Sequence, residues 1–285
     1  MDLKDIKKWY HNKRLMKKQS VNRERLLACL EKEPIDSERR ELIPFFKEHC
    51  FEAIPYSWVD DTKAIDIEVH YDDQFSLPYV IWHGKKLYWK SNTRPQTIQK
   101  CIWALQVEQD DRSPHKYVIT EDIDGGVLAD LGTAEGIFTL DVIERVKHAY
   151  LFECAPEWVS ALQATFMPWK NKVTIVSKFV GNCNDDKCVT LDKFFSDKEL
   201  DYVKADIEGA EIDMLLGGES SFRSKIKAAN ICLYHRSTDA EKIHGLLASY
   251  GYKCQVNDGY ILIVNEQERP LDWLRRGVTL ARRER

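Results

Sequence analysis

The chain has 285 residues, a formal net charge of −4 and a pI near 6.1, so it is long enough for a full α/β core and an accessory region. This charge balance gives no overall basic field, and nucleic acid is not predicted as a partner. No apolar run approaches the roughly 20 residues that span a bilayer, and the first residues lack the apolar core of a secretory signal, so we expect no transmembrane segment and a cytoplasmic location.

The first part of the chain is charge-rich and helical in pattern. Residues 2–33 carry apolar side chains at helical spacing, and Pro34 ends this amphipathic segment. Residues 37–50 predict a further short helix that is interrupted at Pro44.

The period of the apolar residues then changes to two. Residues 64–71 alternate as a strand, and residues 78–89 predict a hairpin that turns at His83-Gly84. A helix from Arg94 to Asp110 leads into a linker, Asp110–Pro114. We therefore predict residues 1–112 to be an α+β accessory region that caps a substrate or mediates formation of a homo-oligomer.

The most informative segment runs from Val127 to Leu140, where an apolar strand enters a glycine-bearing turn that opens a helix. Asp130, Gly132 and Gly136 form the pattern D-x-G-x-x-x-G. Such turns bind nucleotide-like cofactors at the carboxyl edge of an open sheet, because glycine lets the backbone approach the ligand.

Glu135 distinguishes between two cofactors that use such a turn. A dinucleotide places its pyrophosphate at the following helix N-terminus, and a carboxylate there would repel it. S-adenosylmethionine carries an ammonium and a sulfonium cation and has no phosphate at this point. The turn also lacks the G-x-G-x-x-G spacing, so we favour the methyl donor.

Two later strands deliver acids to the same edge. Glu153 ends the strand that starts at Ala149, at about the 20-residue distance from the first glycine where a carboxylate meets ribose hydroxyls. Asp206 and Glu208 follow the strand 202–206, ahead of a helix. Glu211 fits a simpler role, as an acid in the first helical turn.

The order of elements from residue 116 alternates between strands and helices. This alternation predicts a mostly parallel sheet, with strands at 252–256 and 260–264 forming an antiparallel final hairpin. Residues 113–270 would be the cofactor-binding domain, beginning with a strand at Lys116, and residues 271–285 a basic helix or tail.

Three segments resemble methyltransferases of the FkbM type, a class I group that uses S-adenosylmethionine. They are Asp130–Gly136, then Thr190–Phe194 with Val203–Glu211, and Ile231–Arg236 ahead of Leu246–Tyr252. The similarity covers roughly residues 117–265. It implies a Rossmann-like fold and O-methylation of hydroxyls in sugars and natural products. The predicted cofactor-binding residues are Asp130, Gly132, Thr133, Glu135, Gly136, Glu153 and Asp206.

The acceptor hydroxyl of such a reaction needs a general base, or a metal that lowers its pKa. His235, after the strand 229–234, is the first choice for the base. Asp206 could orient His235 or contact the donor's ammonium, and Glu208 lies beside both. The same three residues, Asp206, Glu208 and His235, could instead bind a divalent cation such as Mg or Mn.

Three functions remain open at this point. The first is an O-methyltransferase acting on a sugar, a polysaccharide precursor or a related small molecule. The second is a dinucleotide-dependent oxidoreductase, which Glu135 disfavours, and the third is a non-catalytic binding module on the same fold.

Overall fold

The computed structural model describes residues 3–49, 51–62 and 67–284, with the backbone alone for residues 3–17. Its α-helices are α1 (Leu3–Lys32), α2 (Ser37–Glu48), α3 (Trp58–Asp61), α4 (Pro95–Glu108), α5 (Ile137–Val142), α6 (Pro156–Thr165), α7 (Leu191–Phe194), α8 (Glu211–Gly217), α9 (Glu219–Ser224) and α10 (Asp239–Ser249). Turns of 3₁₀ helix cover Glu121–Ile123, Met167–Trp169 and Pro270–Trp273.

The strands in chain order are β1 (His70–Asp72), β2 (Leu77–Trp82), β3 (Lys85–Tyr88), β4 (Val127–Leu131), β5 (His148–Phe152), β6 (Val173–Val176), β7 (Phe179–Val180), β8 (Cys188–Val189), β9 (Tyr202–Ala205), β10 (Ala228–Cys232), β11 (Tyr252–Val256), β12 (Ile261–Leu262), β13 (Leu274–Arg275) and β14 (Val278–Arg283).

Seven of these strands form the central sheet, in the order β11-β14-β10-β9-β4-β5-β6. The strands from β10 to β6 are parallel to their neighbours, whereas β14 is antiparallel to both β10 and β11. The predicted mostly parallel, Rossmann-like sheet is confirmed. Its parallel strands end at one edge, which is where an open α/β sheet binds its ligands.

The inner strands are buried on both faces. Every residue of β4, β9 and β10 is buried, as expected of parallel strands between two helical layers. Three polar residues interrupt these apolar runs, namely Asp130, Lys204 and Asn230. Each has polar partners within the protein, and the pair Asp130 and Lys204 lies directly below the glycine turn.

The final part of the chain differs from the prediction. Residues 271–285 were expected to form a basic helix or tail, but residues 278–283 form β14 in the central sheet. The physical reason is burial, because Val278, Leu280 and Ala281 are enclosed between neighbouring strands. The basic side chains Arg282 and Arg283 lie at the strand end, where they contact Asp122 and the Phe222 carbonyl.

The antiparallel edge itself was predicted, but with a different partner strand. β11 matches the first predicted strand and pairs with β14. Residues 261–262 instead pair with β13 in a separate two-stranded sheet. This hairpin belongs to an insert that packs on α1 and α2, where Trp273 and Leu262 share a core with Leu26 and Phe46.

The accessory region shares its core with the sheet domain. The hairpin of β2 and β3 turns at His83-Gly84 and α4 follows it, both as predicted. Val80, Leu87 and Ile98 pack in one cluster with Leu128 and Phe138. This packing places the carboxyl end of α4 against the glycine turn.

Three local predictions were wrong or cannot be compared. α2 continues through Pro44, because burial of Leu42, Phe45 and Phe46 on either side offsets the lost backbone hydrogen bond. No strand begins at Lys116, since residues 116–120 lie in no regular element. The predicted strand 64–71 lies partly outside the described residues, and the described ladder starts at His70.

Candidate active site

The turn after β4 brings the backbone unusually close to β9. Gly132 has a φ of +71°, and a Cβ built there would lie 1.8 Å from the carbonyl oxygen of Asp206. Only glycine fits this position. Ala134 also has a positive φ, of 49°, as does Glu208, at 56°. Strained residues of this kind cluster at functional sites.

Asp130 and Lys204 support the turn from below. Asp130 is fully buried, accepts a 2.7 Å hydrogen bond from the Thr139 hydroxyl and lies 3.3 Å from the Lys204 ammonium. Lys204 in turn donates to the carbonyl of Gly132 at 2.8 Å. Burial alone lowers the pKa of Lys204, but the charges of Asp130 and Asp206 outweigh it and hold the pKa above its usual value.

Two residues predicted to bind the cofactor, Asp130 and Gly136, lie away from the open space around the turn. Asp130 was expected to bind the cofactor, but it lies under the sheet edge and lines neither cavity described below. Gly136 also lies outside both, with its Cα facing Leu162 of α6 and Phe166 just after that helix. Both residues shape the turn. Thr133 also stabilises the turn, because its hydroxyl donates to the Asp130 carbonyl at 2.9 Å, and in addition it lines the smaller cavity.

A cavity of about 430 Å³ opens on one side of the turn. Its lining includes Gly132 and Glu153, with the apolar side chains of Phe152, Val180 and Ile207. The N–H groups of Ala134 and Ala155 donate to the two oxygens of Glu153, at 2.9 and 2.7 Å. Each carboxylate oxygen keeps a lone pair for a further donor, such as a ribose hydroxyl.

Asp206 is the polar centre of the site. Tyr117 and Tyr234 donate hydrogen bonds of 2.9 Å to its two oxygens. Burial raises the pKa of Asp206, but Lys204, His115 and His235 together outweigh it, so the pKa is lowered overall. Asp206 is therefore an anion at neutral pH.

His235 lies beside Asp206, with Nε2 3.4 Å from a carboxylate oxygen, and its side chain is only 11% exposed. Its Nδ1 lies 3.0 Å from Glu211, which is buried and also accepts the Ile207 N–H at 2.9 Å. Burial lowers the pKa of His235, but contact with Glu211 and the charges of Asp206 and Glu208 raise it overall. Glu208 is itself 94% exposed, with its carboxylate 3.7 Å from His235.

A smaller cavity, of about 190 Å³, lies on the other side of the turn and shares Gly132 and Asp206 with the first. Glu135 lines it, together with Glu108 from the end of α4. Burial raises the pKa of Glu108 to about 7, with the charges of Glu135 and Asp206 adding to it. Burial raises the pKa of Glu135 to about 7 as well, against the effect of Lys204.

The structure thus brings together Gly132, Thr133, Glu135, Glu153, Asp206, Glu208 and His235 of the predicted site. Sequence reasoning missed Glu108, His115, Tyr117, Lys204 and Tyr234 as site residues, and it gave Glu211 only a helix-end role. Lys204 could have been identified from the sequence, because a lysine in the middle of a buried strand needs a buried anion. Glu108 could not, since its helix belongs to another part of the chain and no local pattern relates it to the turn.

Comparison with known protein families finds a match for part of the chain. Residues 146–254 match the family model for the methyltransferase FkbM domain. No curated protein sequence matches the chain. Within the described residues, no helix combines the length and apolar character needed to cross a bilayer.

Solved structures of methyltransferases are similar to the chain at low sequence identity. Methyltransferase FkbM from Methylobacillus flagellatus KT is 16% identical, with a TM-score of 0.45 over 66% of this chain and 52% of that one. The chain thus spans about half of that protein's length. Precorrin-6y C5,15-methyltransferase from Geobacter metallireducens is 12% identical, with a TM-score of 0.39 over 56% and 81%.

A putative tRNA (m1A22) methyltransferase from Streptococcus pneumoniae, solved with S-adenosyl-L-methionine, is 13% identical, with a TM-score of 0.39 over 57% of this chain and 69% of that chain. Residues 146–254 of this chain are thus similar to the methyltransferase FkbM domain, and they lie on a mostly parallel, Rossmann-like sheet.

Proposed function

We propose that the protein is an S-adenosylmethionine-dependent O-methyltransferase whose acceptor is a hydroxyl of a sugar, a polysaccharide precursor or a related small molecule. One observation carries the proposal. Two cavities meet at Gly132 and Asp206, at the carboxyl edge of the sheet, so an extended ligand can pass from one into the other across the glycine turn.

The residues of the larger cavity fit the adenosine end of the donor. Phe152, Val180 and Ile207 offer an apolar surface for a flat base, and Glu153 has acceptor capacity left for ribose hydroxyls. Because Gly132 has no side chain, the turn packs directly against the Asp206 carbonyl and brings the two cavities next to each other. Glu135 in the turn would repel the pyrophosphate of a dinucleotide.

When bound, S-adenosylmethionine supplies an electrophilic methyl group on a sulfonium. The protein then has to hold the acceptor hydroxyl and remove its proton. His235 is the proposed base. In the neutral form of His235, Glu211, 3.0 Å from Nδ1, favours a proton on that nitrogen, and Nε2 is then the atom that takes the proton of the hydroxyl.

A divalent cation is an alternative means of activating the hydroxyl. Asp206, Glu211 and His235 place ligand atoms within 4.8 Å of one another, so Glu211 replaces the exposed Glu208 in the predicted set. Two carboxylates and one imidazole suit Mg or Mn. Methyl transfer measured with and without EDTA tests this part of the proposal.

Calorimetric titration with S-adenosylhomocysteine tests the cofactor, with NAD as the control ligand. We expect saturable binding of S-adenosylhomocysteine and none of NAD. That result would justify a screen of sugar acceptors with labelled S-adenosylmethionine, with and without Mg. Binding of neither ligand would favour the non-catalytic binding module, and binding of NAD alone would favour the oxidoreductase.

A further inference from the structure

The smaller cavity has a wall that the methyltransferase domain does not supply. Leu105, Glu108 and Gln109 come from the end of α4 and face Glu135 of the glycine turn across the cavity. The accessory region therefore does more than cover the fold, because it places a carboxylate directly beside the turn.

Glu108 has no cationic partner at hydrogen-bonding distance among the described residues. Its nearest basic atom is Nδ1 of His115, 3.9 Å from Oε2. The Tyr234 hydroxyl has a single proton and donates it to Asp206. Nε2 of His115 lies 2.9 Å from the same hydroxyl oxygen, so in this hydrogen bond Nε2 must be the donor and the hydroxyl the acceptor. Nδ1 of neutral His115 then carries no proton that it could donate to the Glu108 carboxylate.

The cavity therefore holds more negative than positive groups. Glu108, Glu135 and Asp206 line it with Lys204 as the only lysine or arginine among its lining residues in the described chain. Burial is the main cause of the raised pKa values of Glu108 and Glu135, and the charges of neighbouring carboxylates add to it. A ligand cation that entered would stabilise both carboxylates in their ionised form.

The larger cavity, on the other side of the turn, indicates which ligand would bring a cation into the smaller one. Glu153 accepts the N–H of Ala134, and Glu135 is the next residue in the chain. A donor with its ribose at Glu153 would cross Gly132 and bring its amino acid end to Glu135. That end carries an ammonium, which suits the carboxylates of Glu108 and Glu135. It also carries a carboxylate, which Lys204 can bind with its third N–H, since the other two are directed at Gly132 and Asp130.

We propose that Glu108, on the accessory helix α4, is a cofactor-binding residue that holds the ammonium of the donor's amino acid end together with Glu135. This inference rests on the proposed function. It assigns to the accessory region a direct part in binding the methyl donor, in addition to any role in enclosing the acceptor.

Two ligands separate this role from a general effect on the fold. S-adenosylhomocysteine carries the amino acid end, and 5′-methylthioadenosine lacks it while keeping the adenosine. At pH 8, calorimetric titration of Glu108→Gln should show affinity for S-adenosylhomocysteine weakened by about tenfold or more, since one charge-assisted hydrogen bond is lost. The affinity for 5′-methylthioadenosine should stay unchanged.

Glu135→Gln should behave in the same way, and Glu157→Gln, at an exposed position of α6, is the matched control that changes neither affinity. Thermal unfolding of each variant confirms that it is folded. Equal weakening of both ligands in Glu108→Gln, or no weakening of either, would overturn the inference while leaving the proposed function standing. If wild-type protein bound neither ligand, the proposed function itself would fail, and this inference with it.

Discussion

Lys204 donates a 2.8 Å hydrogen bond to the carbonyl oxygen of Gly132, which connects the middle of strand β9 to the glycine turn after β4. The same ammonium neutralises Asp130, so one buried side chain both compensates a charge and fixes a loop. Removing it should affect stability and ligand binding together.

For Lys204→Met we expect the free energy of unfolding to fall by about 3–5 kcal/mol, because Asp130 is left buried without its counter-ion. Urea denaturation measures this change. Lys242→Met, on the exposed face of α10, is the control and should change stability by less than about 0.5 kcal/mol. The double variant Asp130→Asn/Lys204→Met should recover part of the loss, and strictly additive effects would contradict the pairing.

Gly132→Ala should abolish binding of S-adenosylhomocysteine. The new methyl group would lie 1.8 Å from the Asp206 carbonyl at a φ of +71°, so the turn or the end of β9 has to move. Gly245→Ala is the matched control, because Gly245 is exposed in α10 with open space around it and alanine should stabilise the helix by about 0.5–1 kcal/mol. Normal binding by Gly132→Ala would show that the turn is not part of the cofactor site.

Glu153→Gln should weaken binding of S-adenosylhomocysteine by about tenfold or more, since a charged acceptor for the ribose hydroxyls becomes neutral. Calorimetry gives the dissociation constants. Adenine alone lacks the ribose, so its affinity should change much less. A similar loss for both ligands would instead indicate that the variant disturbs the turn through Ala134.

His235→Ala should keep the affinity for S-adenosylhomocysteine but lower kcat by about 10²–10⁴-fold, as expected when a general base is removed. The measurement is methyl transfer to the acceptor found in the screen. His148→Ala, at the first residue of β5 and so at the opposite end of the parallel strands, should retain full activity. Unchanged turnover in His235→Ala would rule out its assignment as the base.

Glu108 should make stability depend on pH. The carboxyl has a pKa of about 7 in the folded protein, above its value in the unfolded chain, so the folded state binds the extra proton and loses stability as pH rises towards 7. Glu135, Asp206, Lys204 and His115 face Glu108 and are present in both the wild type and Glu108→Gln, so a comparison of these two proteins isolates Glu108.

The Tm of Glu108→Gln relative to wild type should therefore be higher at pH 8 than at pH 5, as measured by scanning calorimetry of the ligand-free proteins. A difference in Tm that stays constant between the two pH values would contradict the raised pKa. Saturating S-adenosylhomocysteine should reduce the pH dependence of the wild type, because the ligand's ammonium stabilises the ionised carboxylate.

The sequence could predict those parts of the site that depend on short, continuous segments of the chain. A glycine turn after an apolar strand, and the acids Glu153 and Asp206 at the ends of later strands, each depend on a few consecutive residues. Parallel strands then bring these separate segments to one edge without further information. The mostly parallel sheet was predicted for the same reason.

The parts that were missed depend on packing between distant segments. Glu108 reaches the cavity only because the accessory region shares a core with β4 and α5. Glu211 has the sequence position of a helix-end acid, and its contact with His235 follows from the neighbouring strand. β14 was missed because its arginines suggested a solvated tail, whereas its partners β10 and β11 lie 20 or more residues away in the chain.

The place of β14 also sets the order in which the sheet can be completed during synthesis. Among the described strands, β11 pairs with β14 alone, and β14 separates it from β10. A nascent chain that ends before residue 278 therefore carries two strands with open hydrogen-bonding edges, the arrangement that recruits strands from other molecules. Premature release from the ribosome would accordingly yield an aggregating fragment, even though every residue of the two cavities had already been made.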